Sequence, residues 1–323
     1  MHPSFRTLLL LLPGLLLLGC SASSIPTRPG ELSSAATEGT AEVRVRLERV
    51  VAAHWAVPLS GLLDLEHEAA VAAGLEDREE PIDIAVFVID HPTRGRYLVD
   101  SGVAEAFRRG PDAAGVSRLV SWVMGADALD IRTTTESLGA GPAGPIRGVF
   151  LTHMHLDHVM GLPDVPADAQ VFVGPREPQA RRLEHLATRG TIDRLVGEER
   201  VLRTWPLEAD PTGAFEGRVD VFGDGSVIGL HVPGHTPGSM AFLIRAEDGD
   251  HLVLGDASHT AWGWANGVPP GTYTMDADRG QESLARLRRL AASRPELHVH
   301  PGHQSLTVAA RITAAAVGSP TGE

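Results

Sequence analysis

The most constraining feature of the sequence is a group of polar residues at the end of an apolar run. The segment "GVFLTHMHLDHVMGL", residues 148–162, places three histidines and an aspartate within six positions. Residues two apart share one face of a strand, so this pattern predicts that His153 and His155 project together from a strand that ends near Asp157. Four ligand-type side chains this close together are typical of a site that serves two adjacent metal ions.

Three further segments deliver ligand-type residues after apolar runs. His235 follows one strand pattern in "VPGHTPGS", and Asp256 follows another in "LVLGDASH". The segment "HVHPGHQ" offers both His300 and His303. Loops at the ends of buried strands are the positions where rigid scaffolds display functional groups. We therefore expect these residues to meet the group at 153–158.

Short β-rich segments alternate with helical patterns along the chain. The segments 82–91 and 96–102 predict a hairpin, because a Pro-Thr-Arg-Gly turn separates them. Further strands are predicted at 149–152, 170–173, 218–222, 227–232, 241–245, 252–254 and 297–300, and helices at about 114–128, 176–188 and 281–292. This mixed order predicts an α/β (α+β) fold, in which sheets pack together and helices lie outside.

The segments "THMHLDH", "PGHTPGS", "GDASH" and "PGHQ", in this order, resemble the metallo-β-lactamase-fold hydrolases. The resemblance extends over nearly the whole chain after residue 41. It implies a four-layer αβ/βα sandwich with a dinuclear metal site at one edge. It assigns His153, His155 and His235 to the first ion, assigns Asp157, His158 and His303 to the second, and makes Asp256 the bridge. His303 rather than His300 matches the final histidine of the family, and Asp100 in "LVDSG" matches a buried acceptor that orients the metal loops.

The implied cofactors are two divalent metal ions. Histidine and carboxylate ligands suit zinc first, and iron, cobalt and manganese also accept them. Two such ions about 3.5–4 Å apart can share a bridging water and supply hydroxide near neutral pH. We expect this hydroxide to attack an ester or lactone carbonyl, and Asp157 to pass a proton to the leaving oxygen.

Shorter motifs narrow the class of substrate that we expect. True β-lactamases of this fold carry cysteine or serine at the place of Asp256, so the aspartate argues against a β-lactam. The segment "VFVIDHPTRGRYLVDSG" resembles the N-acyl-homoserine-lactone lactonases, and "GDASH" resembles their "DAS(Y)" turn, whose tyrosine contacts the substrate carbonyl. This chain has His259 there, and we expect it to donate to the carbonyl oxygen. The alternatives are a thioester or phosphodiester hydrolase, and a non-catalytic metal-binding lipoprotein.

The N-terminus predicts export. Arg6 precedes an apolar run at 8–18, and "LLGC" ending at Cys20 resembles a lipobox, which implies a lipoprotein signal peptide over residues 1–20. A lipid on Cys20 would anchor the chain to the cell envelope, on the periplasmic face of a membrane or at the cell surface. Residues 21–41 are rich in Ser, Pro, Gly and Thr, which predicts a flexible tether before a single hydrolase domain at 42–323.

Charge and cysteine content limit the partners. The formal net charge of −13 argues against nucleic acid, which needs a basic surface. Cys20 is the only cysteine, so disulfides within the chain are excluded. The predicted partner is a small ester or lactone.

Overall fold

The structure, a computed structural model, describes residues 21–30, 43–183 and 185–304. Cys20 and residues 31–41 of the predicted tether lie outside the described residues. None of the helices in the described part of the chain is long and apolar enough to span a bilayer.

Two β-sheets form the centre of the molecule. In chain order the strands are β1 (Thr27–Pro29), β2 (Arg46–Pro58), β3 (Glu79–His91), β4 (Gly95–Val99), β5 (Asp130–Ile131), β6 (Ala140–Gly141), β7 (Gly144–Phe150), β8 (Gln170–Val173), β9 (Leu202–Thr204), β10 (Arg218–Asp220), β11 (Val227–His231), β12 (Met240–Ala246), β13 (Gly249–Val253) and β14 (His298–His300). The larger sheet has the order β1-β9-β8-β7-β4-β3-β2-β5, with β6 beside β7, and the smaller sheet has the order β10-β11-β12-β13-β14.

Seven α-helices and several short 3₁₀ turns surround the sheets. The helices are α1 (Leu59–Leu62), α2 (Glu68–Ala72), α3 (Arg118–Met124), α4 (Leu156–Val159), α5 (His185–Val196), α6 (Ala261–Asn266) and α7 (Ala277–Ala292). The 3₁₀ turns are Glu105–Arg109, Pro111–Ala114, Ala126–Ala128, Glu136–Leu138, Leu162–Asp164 and Gly255–Ala257.

Three apolar cores separate four layers. The first joins the outer face of the larger sheet to α1–α6, the second lies between the sheets, and the third joins the smaller sheet to α7. On β7, Val149 belongs to the first core and Phe150 to the second, because neighbouring strand residues point to opposite faces. The architecture is the four-layer αβ/βα sandwich that the motifs predict.

Strand direction brings six strand ends to one edge of the sandwich. In the larger sheet β4, β7 and β8 are parallel, and in the smaller sheet β11, β13 and β14 run the same way. The backbone N–H of Met240 donates to the carbonyl of Thr152 at 2.8 Å, which joins the two sheets near this edge. Each segment with predicted ligands begins where one of these strands ends.

The predicted hairpin is confirmed and each predicted strand overlaps an observed one, but the strand predicted at 149–152 ends at Phe150, before the histidines. Two helix predictions also need correction. The helix predicted at 114–128 is confined to α3, because Gly115 and Gly125 take positive φ angles at its two sides. The helix predicted at 176–188 is wrong over most of its length. Pro178 interrupts that segment, and α5 begins only at His185. The long strand β2 carries no sequence prediction.

Residues 21–30 do not form the predicted flexible tether. The strand β1 pairs with β9 in parallel at the edge of the larger sheet. The hydroxyls of Ser23 and Ser24 both donate to the carboxylate of Asp193 on α5, and Ile25 is buried. Composition could not predict this because a polar segment becomes ordered when its hydroxyls and N–H groups find specific acceptors.

Candidate metal centre

The predicted ligands His153 and His155 lie in a loop and not in a strand. The strand β7 ends at Phe150, and His155 is the residue that precedes α4. Asp157 and His158 lie on α4 itself. The alternation of a strand is therefore the wrong reason for their proximity. The loop after the strand brings them together because other side chains accept its backbone hydrogen bonds.

Two sets of ligand atoms converge at this edge, and within each set all atoms lie within 4.8 Å of one another. The first set contains His153, His155, His235 and Asp256, and the second contains Asp157, His158, Asp256 and His303. Asp256 belongs to both sets, as the motifs predict for a bridging carboxylate. In the first set, Nε2 of His235 lies 2.9 Å from Nδ1 of His155 and 3.2 Å from Nε2 of His153.

One carboxylate oxygen, Asp256 Oδ2, is the common neighbour of the imidazoles. Five histidines have their Nε2 atom 3.2–3.6 Å from Oδ2 of Asp256, namely His153, His158, His235, His259 and His303. Nε2 of His158 and Oδ1 of Asp256 are buried without a hydrogen-bond partner in the protein. Leaving such a group unpaired costs roughly 1–3 kcal/mol. The donor set therefore fits metal ions, which would satisfy these atoms.

The pKa values of the histidines are lowered in the first set and raised in the second. Burial lowers the pKa of His153 and of His235 well below the ordinary value, so both rings stay neutral and their lone pairs are available. Burial disfavours protonated His303, but the carboxylate of Asp256 outweighs it and raises the pKa of His303 to about 9. Burial disfavours ionised Asp157, but the charge of His158 dominates and lowers the pKa of Asp157 to about 2. The second set therefore holds ionised carboxylates at neutral pH.

Asp100 orients the second set, as predicted from its motif. Its carboxylate accepts from the backbone N–H of Thr152 at 2.8 Å and from Nδ1–H of His158 at 2.8 Å. Because Nδ1 carries the proton, His158 presents Nε2 to the site. Asp100 has a φ of 59°, a left-handed conformation that aspartate tolerates better than most residues.

Glu177 connects the two metal loops, and sequence reasoning missed it. Its buried carboxylate accepts from the N–H of Met154 at 2.8 Å, the N–H of Gly238 at 3.0 Å and the hydroxyl of Thr236 at 2.7 Å. These donors lie beside His153 and His235, so one side chain fixes ligand loops from both sheets. The sequence around Glu177, "GPREPQ", has no feature that marks a buried carboxylate.

The positions of His300 and His303 show which of them lies with the second set of ligand atoms. His303 donates Nδ1–H to the carbonyl of Asp83 at 3.0 Å and turns Nε2 toward Asp256. His300 lies in β14 with its Nε2 2.9 Å from Nδ1 of His251, outside both sets. Gly302 lets the final loop approach, because a Cβ there would lie 2.3 Å from Oδ1 of Asp256.

His259 lies at the centre but belongs to neither set. Its Nδ1–H donates to the carbonyl of Leu62 at 2.9 Å, and its Nε2 lies 3.2 Å from Oδ2 of Asp256. A ring held in this way has only Nε2 directed to the site. The predicted donation to a substrate carbonyl therefore requires a proton on both ring nitrogens.

Comparison with known proteins decides the family. Residues 80–303 match the model of the Metallo-beta-lactamase superfamily. The chain belongs to this superfamily. The N-acyl homoserine lactonase AttM of Azorhizobium caulinodans is 30% identical over 225 residues, which cover 69% of this chain and 82% of that protein. The AttM of Agrobacterium fabrum is 27% identical over 227 residues, with the same coverage of each chain.

Solved structures of the superfamily share the fold. An N-acyl homoserine lactone hydrolase with N-hexanoyl-L-homoserine bound at its catalytic metal centre superposes with a TM-score of 0.59 at 19% identity, covering 81% of this chain and 94% of that chain. AidC, a dizinc quorum-quenching lactonase, superposes with a TM-score of 0.53 at 14% identity, covering 86% and 90%.

The substitution Glu177→Gln is expected to weaken metal binding. The amide NH₂ of glutamine cannot accept from the donors that now meet one carboxylate oxygen, so the loops of His153 and His235 lose a common support. Loss of such a supporting group typically costs about 10–100-fold in metal affinity. Chelator competition followed by metal analysis measures the change. Glu105→Gln, at a half-exposed position, is the matched control, and equal metal affinity in both variants would contradict this role for Glu177.

The substitution His300→Gln is expected to flatten the dependence of stability on pH. Burial, with the neighbouring His251, lowers the pKa of His300 to about 3 from 6.5. Below pH 6.5 the unfolded chain therefore binds a proton that the folded chain does not, and stability falls by up to about 1.4 kcal/mol per pH unit. Denaturant unfolding between pH 6.5 and about pH 5 compares the parent with His300→Gln.

The matched control for this comparison is His298→Gln, because His298 lies on the same strand and is exposed. His298 is one of the smaller causes of the lowered pKa of His300, so this variant should stay close to the slope of the parent. A parent slope that persists in His300→Gln would show that another group titrates in this window.

Proposed function

We propose that the protein is a metal-dependent hydrolase that opens lactones or cleaves related carboxylic esters. The observation that carries this proposal is the pair of ligand sets that share Asp256, in a chain of the metallo-β-lactamase superfamily. The similarity to two proteins named N-acyl homoserine lactonase supports a lactone as the substrate, and N-acyl homoserine lactones are the first compounds to test.

The donor set suits two divalent ions, zinc first, with iron, cobalt or manganese as alternatives. It consists of imidazole nitrogens and carboxylate oxygens, without a thiolate. Bound ions supply a water nucleophile near neutral pH and polarise the substrate carbonyl. The side chains of both sets are largely buried, and electrostatic stabilisation is stronger in such surroundings than in water.

Asp157 and His259 have different tasks in this proposal. Asp157 is ionised at neutral pH, so it accepts the proton of the attacking water and returns it to the leaving alkoxide. His259 is held by Leu62 with Nε2 facing the centre, and with a proton on Nε2 as well it donates to the carbonyl oxygen of the substrate. Asp256 holds the two ligand sets around one carboxylate.

The neighbourhood of the site favours a carboxylic ester over a phosphodiester. A phosphodiesterase is expected to direct arginine side chains at the substrate. Arg182 is on a loop beside the site, but its guanidinium donates to the backbone carbonyls of Thr272 and Tyr273, both at 3.0 Å. The contacts of this arginine therefore support the lactone and ester proposal.

We also propose that the chain is exported and anchored to the cell envelope by a lipid on Cys20. The support is the lipobox-like sequence "LLGC" after the apolar run at 8–18. The mass of the exported chain tests this, because cleavage before Cys20 and an added lipid each change it. An exported chain that keeps residues 1–19 would contradict the proposal.

The zinc-loaded protein is expected to hydrolyse N-acyl homoserine lactones and simpler lactones. Chelation should abolish turnover and added zinc should restore it, because the centre depends on its ions. Product formation across a panel of lactones, aryl esters, a thioester and a phosphodiester measures the preference, with His153→Ala as the metal-deficient control. Two bound ions without turnover of any lactone or ester would contradict the proposal.

The substitution His259→Ala is expected to reduce turnover while both metal ions are retained. The reason is that His259 lies outside both ligand sets but faces the same centre. Steady-state kinetics and metal analysis on the same sample measure the two effects. His298→Ala, at an exposed histidine away from the site, is the control. Loss of one metal ion in His259→Ala would contradict a role in substrate contact.

A further inference from the structure

Most of the exposed large apolar side chains lie on or next to the helices α3 and α5. In the described part of the chain, the strongly exposed large apolar residues are Val71, Leu119, Trp122, Val123, Leu183, Leu186 and Tyr273. Trp122 on α3 is 79% exposed, the highest value among them. None of these residues lies on α7, the helix outside the smaller sheet. A soluble protein rarely leaves such side chains together on its surface without a partner.

Four of these residues lie on α3 and α5, which contact each other, and a fifth, Leu183, lies in the turn before α5. We call Leu119, Trp122, Val123, Leu183 and Leu186 the apolar face. The N–H of Ser117, which caps α3, donates to the hydroxyl of Thr191 on α5 at 3.2 Å. The guanidinium of Arg194 on α5 donates to the carbonyl of Gly115 at 2.7 Å. The helices α3 and α5, on or next to which these exposed residues lie, are therefore held side by side.

The N-terminal segment is attached to the same surface. Ser21 forms an antiparallel bridge with Arg181, two residues before Leu183. Ser23 and Ser24 bind Asp193 on α5, beside the contact between α5 and α3. In the sequence, the apolar run at 8–18 and Cys20 come directly before Ser21, which the bridge to Arg181 holds two residues from Leu183.

The apolar face also borders the metal centre. Arg182, which follows the bridge with Ser21, donates to the backbone carbonyl of Tyr273. The ring of Tyr273 lies 6.4 Å from the ring of His259, centroid to centroid. The contacts therefore run from the attachment point of the N-terminal segment to the rim of the site.

The far end of α3 lies at the same edge. The carbonyl of Gly125, which ends α3, accepts from Nε1 of Trp55 at 3.2 Å. Trp55 pairs with Ile82 of the neighbouring strand β3. The next residue of β3 is Asp83, and its N–H donates to the carbonyl of His303. The exposed residues in the second half of α3 are thus on the side of the sandwich where the ligands converge.

We propose that the apolar face docks onto a lipid bilayer, so that the metal centre opens at the membrane surface. Tryptophan with leucine and valine, bordered by arginine, is the pattern of a surface that enters the headgroup region. Arg118 and Arg181 are exposed beside the face, in a chain whose net charge is −13. They suit anionic headgroups. The lipid surface is the occupant because the sequence before Ser21 is apolar and ends in the lipobox-like "LLGC", and Ser21 is bridged to Arg181 beside Leu183.

This orientation extends the proposed function to a substrate class, and that extension rests on the proposed function. A site that opens at a bilayer meets molecules dissolved in the lipid first. Lactones with long acyl chains partition into lipid because each additional CH₂ group favours transfer out of water. They are the substrates that this orientation favours over short-chain lactones in water.

Tryptophan fluorescence of the full chain tests the docking. The protein is expressed with its leader, extracted in detergent and reconstituted into vesicles of phosphatidylcholine and phosphatidylglycerol, with or without brominated phosphatidylcholine. Of the five tryptophans, Trp55, Trp205 and Trp262 are buried and Trp264 is half-buried. The difference between the parent and Trp122→Phe therefore isolates Trp122. We expect a blue shift in its emission with vesicles and quenching by brominated lipid.

A matched control moves the probe away from the face. Val71 on α2 is 64% exposed and is not part of the apolar face. In the Trp122→Phe background, Val71→Trp should show neither the shift nor the quenching. Near-UV circular dichroism confirms that each variant is folded. Because fluorescence does not depend on turnover, the docking is tested even if no lactone is hydrolysed.

Three results would overturn the docking proposal. The first is vesicle-bound protein whose Trp122 is not quenched. The second is protein that stays free of vesicles. The third is a blue shift of Trp122 that appears without lipid and grows with protein concentration, which would assign the face to a second copy of this chain.

For the substrate class, Val123→Ser should slow turnover of a long-chain lactone in vesicles but not of a short-chain lactone in water, whereas Val71→Ser should change neither.

Discussion

The structure depends on the buried carboxylate of Asp256 and on the residues that hold imidazole rings around it. Five histidine Nε2 atoms lie 3.2–3.6 Å from Oδ2 of Asp256. Such a group is costly to bury, since a charge without compensation loses its hydration. Ions of opposite charge to the carboxylates remove this cost, and the donor atoms are arranged to receive them. The fold therefore holds the carboxylate and the imidazole rings close together although their burial is costly.

Rigidity at this centre comes from residues behind the ligands. Asp100 sets the orientation of His158, Asp83 sets that of His303 through its carbonyl, and Glu177 holds the loops of His153 and His235 together. These acceptors come from strand ends or adjoining loops in the larger sheet, while His235, Asp256 and His303 follow strands of the smaller sheet. A dinuclear site between two sheets is thus possible because side chains hydrogen-bond across the gap between them.

The same edge carries the apolar face and the attachment of the N-terminal segment. Ser23, Ser24 and Asp193 fasten that segment to α5, and Arg182 connects its neighbourhood to the loop over the site. The proposed lipid anchor on Cys20 would leave the domain little freedom to turn its active site away from the membrane. Anchoring and orientation would then follow from one set of contacts, and an envelope hydrolase with this arrangement would act on substrates taken from the lipid.

Sequence and tertiary structure contributed different parts of this description. The motifs determined the family and the architecture, and the seven residues that they predict as ligands lie together in the two sets, because metal binding requires particular residue types at particular spacings, and those are visible in a sequence. They did not determine that His153 and His155 lie in a loop, nor that Glu177 supports them, since both depend on hydrogen bonds between residues distant in the chain. Composition also suggested a tether at residues 21–30, but Asp193, about 170 positions away, holds Ser23 and Ser24 on the domain. Only tertiary structure could decide these features, because a buried polar group is stabilised by whichever partner the fold brings to it.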